Sequence, residues 1–293
     1  MPDKKRTLPE MTQAGMEAAI LTSVTDEFGL SHDNYIAAER PLTLYIDKRE
    51  VVTLMTIGTQ PELLILGWLR NQRFIDDISQ IRAVQVDWET DSAAITTVDG
   101  IDNLDSRLAQ KTVTTGCGQG TVYGSLMDDV ATMQLPKVSI QQSDIYATLH
   151  ALTEYNDVYR RAGAVHGCAL CEANNILSFI EDVGRHNAVD AIAGHMWLQD
   201  ISGNNKLFYT TGRLTSEMVI KVALMGIPIL LSRSGATQMG LELAQQLGII
   251  LIARAKGKHF LIYHGADRVT LDAIPPPRPV RNTEQSIEAS NRA

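Results

Sequence analysis

Residues 181–190 read EDVGRHNAVD, two carboxylates, an arginine, a histidine and an asparagine gathered around Gly184. The apolar run Ile176–Ile180 before them predicts a strand, and the segment from Ala188 to about Met196 predicts a helix. The stretch is therefore a strand-to-helix turn crowded with ionisable groups. In α/β proteins such turns sit at the open end of the sheet, where ligand-facing groups are placed. A helix start dressed with acids for its dipole needs one or two carboxylates. It does not need Arg185, His186 and Asn187 beside them, and this excess points to function.

Downstream the rhythm continues. Leu207–Thr210 predicts a strand, Thr215 a cap, and a helix follows to Met225, where Gly226 stops it and Pro228 prevents its return. Ile227–Leu231, a helix over Ala236–Leu247 closed by Gly248, Ile249–Ile252, a turn at Lys256-Gly257-Lys258 and a last strand Phe260–Tyr263 complete the series. Strands alternating with helices at this spacing predict an α/β fold with a mixed, largely parallel sheet and helices on both faces. Upstream the texture is β-rich. Leu42, Leu44 and Ile46 alternate, Asp47–Glu50 turns the chain, and Val51–Met55 completes a hairpin, after which Pro61 opens a short helix to Leu69.

Residues 1–37 are polar with weak periodicity, and in IPPPRPVRNTEQSIEASNRA from Ile274 onward the prolines remove backbone donors and the polar remainder cannot bury a core, so both ends are expected to be loosely structured. The expected organisation is a flexible segment 1–37, a β-rich region 38–150, an α/β region 151–272 and a disordered tail 273–293. With a net charge of −8, nothing global favours nucleic acid, and an anion has to be held by local groups. Three cysteines argue against a disulfide scaffold and fit a reducing compartment. No apolar signal core opens the chain and no run reaches transmembrane length, so a cytoplasmic protein is expected, without membrane contact.

Three further loops carry chemistry. In Thr114-Thr115-Gly116-Cys117-Gly118-Gln119-Gly120-Thr121, a cysteine among three glycines suits a reactive, accessible thiol better than a buried one. In Thr210-Thr211-Gly212-Arg213-Leu214-Thr215-Ser216-Glu217, hydroxyls, free amides and Arg213 meet at a helix start, an anion site without Walker spacing. In Gly163–Cys171, His166 precedes a Cys168-x-x-Cys171 pair, which raises zinc ligation. Deaminase chemistry needs a glutamate two residues after the histidine, where Cys168 stands, and the segment also suits a buried strand.

EDVGRHNAVD, Gly163–His166, TGRLTSEMVIKVALMGIP, RPLTLYID and TTGCGQGT together resemble the formate dehydrogenase accessory sulfurtransferase family (FdhD), over about Arg40–Tyr263. The resemblance implies a cytidine-deaminase-like fold without zinc chemistry. It implies sulfur taken from a cysteine desulfurase and passed to the molybdenum (or tungsten) bis-guanine-dinucleotide cofactor that formate dehydrogenase needs. It also implies a homodimer. Cys117 matches the persulfide cysteine. The family often shows a second cysteine three residues on, where this chain has Gly120, and a carrier needs only one nucleophilic sulfur. Cys168 and Cys171 fall where the family has small or apolar residues.

Ala253-Arg254-Ala255-Lys256-Gly257-Lys258 matches a stretch associated with the guanine-dinucleotide cofactor. The expected cradle is thus Asp182, Arg185, His186, Asn187, Gly212, Arg213, Ser216 and residues 253–258. The expected partners are a cysteine desulfurase, a formate dehydrogenase catalytic subunit and a guanine nucleotide-type ligand, with no permanently bound metal. The alternative is a zinc-dependent, deaminase-like hydrolase built on His166, Cys168 and Cys171.

Overall fold

The computed structural model describes residues 7–102, 104 and 133–275. Cys117 and its glycine-rich loop lie outside the described residues.

The hairpin expected around Asp47 is present. β4 (Arg40–Ile46) and β5 (Arg49–Thr56) pair antiparallel, joined by a turn in which Asp47 and Lys48 take φ of 45° and 72°. With β1 (Glu10–Met11), β6 (Ile81–Asp87) and β7 (Ser92–Thr97) they form a five-stranded sheet in the order β1-β6-β7-β4-β5. Alternate residues Leu42, Leu44 and Ile46 are fully buried, as period two requires of a sheet with one face in the core. Residues 19–37, expected to be loosely structured, instead pair as an exposed ribbon, β2 (Ala19–Thr25) against β3 (Ser31–Ala37). The alternating Ile20/Leu21 and Tyr35/Ile36 pairs that hold its register were hidden by the polar residues between them.

A second sheet has six strands: β9 (His166–Glu172), β10 (Asn175–Asp182), β11 (Leu207–Thr210), β12 (Ile229–Ser232), β13 (Ile250–Lys256) and β14 (His259–His264), in the order β10-β9-β11-β12-β13-β14. It is mixed, as expected, but less parallel than expected. Only β11–β12 and β12–β13 pair parallel, because β9 enters by a hairpin with β10 and β14 leaves by another from β13. Four strands nevertheless share one direction. The short hairpin link at Ala173–Asn174 left no room for a crossover helix, and that spacing is the signal sequence periodicity overlooked.

Apart from this sheet, β8 (Ile140–Gln141) pairs parallel with β15 (Val269–Thr270), and helices cover both faces of the six-stranded sheet. α1 (Pro61–Asn71), α4 (Arg185–Leu198), α5 (Ser216–Leu224) and α6 (Gln238–Leu247) share a core with Cys168, Leu170, Phe208, Leu230 and Leu251. On the other face, α2 (Gln142–Ala151) packs its Ile145 and Leu149 against Ala169, Cys171, Tyr209 and Leu231; the one-turn-and-a-half α3 (Asp157–Ala162) lies beside the ribbon. The first core also takes in Leu42, Leu54, Val84 and Ile95 of the five-stranded sheet, so α1 and α4 form a layer between two sheets. Where they cross, Gly67 and Gly194 bring the backbones together: a Cβ on Gly67 would lie 1.6 Å from the carbonyl oxygen of Asp190, and one on Gly194 1.9 Å from that of Leu63. Among the described residues no helix is long and apolar enough to cross a membrane.

Candidate functional site

β10, β11, β12 and β13 run the same way, so their C-terminal ends line one edge of the sheet. The antiparallel β9 begins there, with His166 opposite Asp182. Backbone bonds stitch the loops of this edge to one another. Thr211 N–H donates to Gly167 O at 2.9 Å, Arg233 N–H to Thr210 O at 3.1 Å, Leu214 N–H to Gly235 O at 3.0 Å and Arg254 N–H to Ser234 O at 2.8 Å. Ser232 Oγ donates to Gly212 O at 2.7 Å. The edge is therefore a pre-organised surface.

The helix after β10 starts at Arg185, earlier than Ala188, so Arg185, His186 and Asn187 form its first turn and are buried. Several polar groups of the 181–190 stretch are taken up inside the protein. Glu181 caps α3, accepting from the N–H groups of Val158 (2.8 Å) and Tyr159 (2.9 Å). Asp182 accepts from Thr56 Oγ1 at 2.5 Å, Ile57 N–H at 3.2 Å, Gly184 N–H at 2.9 Å and Asn187 Nδ2 at 2.7 Å. Asn187 Nδ2 also donates to Met55 O at 2.6 Å. Asp182 and Asn187 thus tie α4 to β5. Burial pushes the Asp182 carboxyl up against these bonds, which favour its ionised form.

Deeper, Lys221 of α5 holds both oxygens of Asp190 at 2.8 and 2.6 Å, and Asn71 of α1 donates to Asp190 at 2.7 Å. All three are buried, and together they join α1, α4 and α5.

Arg185 lies against the β11 loop, because Gly212 has no side chain: a Cβ there would meet Arg185 Cδ at 2.9 Å. His186 Nε2 faces Glu217 Oε2 at 3.4 Å. Burial, then the charges of Lys221 and Arg185, push the imidazole down to about 2, so it is neutral. His166 is lowered too, by burial and by Arg185 and Arg213, which places both arginines near it. Thr215 is the N-cap of α5, yet its Oγ1 is buried and has no hydrogen-bond partner among the described residues. The corresponding Thr237 of α6 caps Gly240 N–H at 3.2 Å. An α-helix start without a side-chain cap, with an unused hydroxyl and a nearby arginine, is suited to an anion. Ser216, buried, opens that helix, and Arg213 is exposed at its mouth.

Arg254 is exposed at a bulge in β13 with φ of 55°, its guanidinium over Gly235. Ala253 and Ala255 are buried in the two opposite cores and offer a ligand only their backbone. Lys256, Gly257 and Lys258 form an exposed hairpin turn farther along.

A cavity of about 370 Å³ opens on the same edge, lined by Asn156, Tyr159, His166, Thr211, Arg233 and Ser234 among others. Arg233 and Ser234 were not among the residues expected at this edge. Their signal was the Ser232-Arg233-Ser234-Gly235 punctuation between a strand and a helix, a counterpart of Thr211-Gly212-Arg213.

The zinc alternative fails on geometry. Cys168 faces the α4 side of the sheet and Cys171 the α2 side, as residues three apart on a strand must. Burial pushes both thiols up to about 12, and Cys168 Sγ donates to Thr210 Oγ1 at 3.3 Å. His166, Cys168 and Cys171 cannot converge on one ion, and no group of three or more potential ligands is placed to hold a metal among the described residues.

The model of the FdhD/NarQ family matches residues 37–270, which include both sheets' central strands and the whole edge. This chain belongs to the FdhD/NarQ family. Among FdhD relatives, it is 30% identical over 243 residues to the sulfur carrier protein FdhD of Shouchella clausii, covering 82% of this chain and 91% of that one. The Wolinella succinogenes protein of the same name is 26% identical over 264 residues, 89% and 92% of the respective chains. The crystal structure of a protein assigned as a formate dehydrogenase accessory protein, from Desulfotalea psychrophila, superposes with a TM-score of 0.69 at 25% identity. The match covers 86% of this chain and all of that one.

Proposed function

We propose that the protein is a sulfur carrier that takes persulfide sulfur from a cysteine desulfurase and delivers it to the molybdenum (or tungsten) bis-guanine-dinucleotide cofactor of a formate dehydrogenase. The observation that carries this, beyond the names of the relatives, is the sheet edge. Arg185, Arg213, the uncapped α5 start and Thr215 Oγ1 gather anion-binding groups at one place in a chain of net charge −8. A diphosphate is the group such an edge would hold, and the metal cofactor is the cargo's destination.

In this account the Cys117 thiolate attacks the terminal sulfur of the desulfurase persulfide, and the desulfurase cysteine leaves as a thiolate. Cys117 then holds the sulfur as its own persulfide. On delivery that S–S bond breaks, Cys117 leaves as a thiolate, and the sulfur takes two electrons from the reduced metal as it becomes a ligand. Gly120 in place of a second cysteine removes a thiol that would discharge the persulfide as a disulfide. By family resemblance the working unit is a homodimer in the cytoplasm.

The test is intact mass after incubation with a cysteine desulfurase and free cysteine. A gain of one sulfur atom, lost on reduction and absent in Cys117→Ala, is expected. Unchanged activation of a formate dehydrogenase by Cys117→Ala, in cells lacking the native carrier, refutes the proposal.

A further inference from the structure

The β2–β3 ribbon gathers apolar side chains that its own chain does not bury. Ile20, Val24 and Ile36 are exposed on one face, and Leu21 and Tyr35 on the other. Phe28 and Leu30 stand at the tip, 79% and 59% exposed. Single exposed apolar residues are ordinary on a protein surface, whereas a contiguous set marks an interaction site.

The tip is built rather than loose. Asp26 accepts from the N–H groups of Phe28 and Leu30, both at 2.9 Å, and pairs with His32 Nε2 at 2.6 Å. Asp26 N–H donates to Leu30 O at 3.0 Å, and Gly29, with φ of 78°, completes the turn. The polar groups of the loop are spent on each other, and the aromatic ring is what the loop displays. A side chain ordered in advance lowers the cost of association, and a rigid aromatic is a common anchor of protein interfaces.

Position and charge indicate what the ribbon meets. Arg161 of α3 lies over the Tyr35 ring at 4.5 Å, and Tyr159 of the same helix lines the 370 Å³ cavity. The ribbon therefore stands at the rim of the ligand edge. Residues 19–37 hold Asp26, Glu27 and Asp33 and no lysine or arginine. Glu27 and Asp33 are exposed and make no ion pair among the described residues. An acidic, apolar arm fits a basic, apolar surface. A second copy of this chain fits poorly, because it carries a net charge of −8 and its arginine edge is where the proposed cofactor has to lie.

We infer that the ribbon is the docking arm for the protein that receives the cofactor, with Phe28 seated in an apolar pocket of that protein and Glu27 and Asp33 against its basic rim. The inference rests on the proposed function and adds the surface its client uses. Docked on the ribbon, the client lies against the edge from which the cofactor leaves. Residues 19–36 precede the span 37–270 that the FdhD/NarQ model matches, which suits recognition of a particular client rather than chemistry the family shares.

Bio-layer interferometry with the full chain immobilised tests this, against a formate dehydrogenase catalytic subunit made without its cofactor and, separately, against a cysteine desulfurase. Phe28→Ser/Leu30→Ser is expected to weaken the client at least about ten-fold, the range for losing an interface anchor. Desulfurase binding and sulfur loading of Cys117 should not change. Glu27→Lys/Asp33→Lys should slow association with the client and flatten its dependence on salt. All four side chains are exposed, so an unchanged thermal unfolding midpoint checks that each variant is folded. Unchanged client binding in both variants overturns the docking arm. So does loss of the desulfurase in place of the client, or a fall in mass by light scattering, which would show that the ribbon holds a second copy. A wild-type chain that does not bind the client overturns it as well. Sulfur loading of Cys117 on that same wild-type chain then decides the carrier function separately.

Discussion

Replacing Gly194 by alanine sets two effects of known size against each other. In a helix interior the change gains roughly 0.8–1 kcal/mol of propensity. Against it, the new Cβ would stand 1.9 Å from Leu63 O and 2.9 Å from Gly67 N, all backbone atoms of α1. No side chain can rotate out of the way. To restore ordinary contact, α1 and α4 have to separate by about 1.5 Å, and both lie between two sheets whose core residues touch them. Overpacking of a core costs roughly 1–3 kcal/mol, occasionally more, when side chains share the strain. A clash with rigid backbone belongs at or above the top of that range.

A net loss of at least about 2 kcal/mol is expected, equivalent to a fall in Tm of about 4–8 °C for a chain of this size. Urea titration followed by far-ultraviolet circular dichroism measures it, and an unchanged m-value confirms that stability alone has moved. Gly235→Ala is the control, because there the added carbon meets nothing closer than 3.7 Å. Its effect should stay within about 0.5 kcal/mol. A Gly194→Ala protein as stable as the wild type would refute the close crossing of α1 and α4.

Arg213→Ala, and a double Lys256→Ala/Lys258→Ala variant, should each weaken GDP in calorimetry, the former by roughly ten- to hundred-fold, and raised salt should weaken it further. Lys221→Met leaves Asp190 buried with only Asn71 and should cost about 3–5 kcal/mol in urea unfolding, whereas Lys221→Met/Asp190→Asn should recover much of it; equal losses in both would dismiss the ion pair as the anchor. His186 has its folded value depressed to about 2, so its contribution is intact above the ordinary 6.5 and is lost as pH falls below it, at up to about 1.4 kcal/mol per pH unit. Asp182 and Asp190, pushed up by burial, act with the opposite sign, so the measurement is the difference between wild type and His186→Gln in urea unfolding from pH 7 to 5: the variant's curve should be flatter, and parallel curves would show a protonated imidazole in the fold. Cys168→Ala/Cys171→Ala should lose about 1 kcal/mol or more by emptying buried space while still accepting sulfur from a desulfurase; loss of loading would mean that a buried thiol takes part.

Local patterns revealed most of the elements. Period-two burial in Leu42, Leu44 and Ile46, Pro61 at a helix start and the Gly226 and Gly248 stops depend on neighbours within a few residues, and each lies where the spacing put it. How much of the second sheet pairs antiparallel was not legible. Strand direction is set by which elements meet in space, and β9 and β10 differ from a crossover pair only in their two-residue link. The site was half legible for the same reason. Arg185 and Arg213 stand out beside glycines and Arg254 in a basic run, but nothing local tells that Asp182 and Asn187 turn inward to Thr56 and Met55, more than a hundred residues away in sequence. Nor does Cys168-x-x-Cys171 reveal that its thiols part to opposite sides of a strand.

α4 has almost no solvent face. From Arg185 to Gly194 every residue is buried, under the five-stranded sheet and α1 on one side and against the six-stranded sheet on the other. An ordinary surface helix leaves half its positions free to drift in sequence, because water accepts most side chains. Here each position answers to two neighbours at once. The distinctiveness of EDVGRHN as a family signature therefore has two sources. Its arginine lies against the Gly212 loop and its histidine against Glu217, while its aspartate and asparagine are held by their place in a layer with no outside. A mutational scan of this helix would report on packing as often as on sulfur transfer, and loss of function there identifies a ligand contact only when the folded population is measured alongside it.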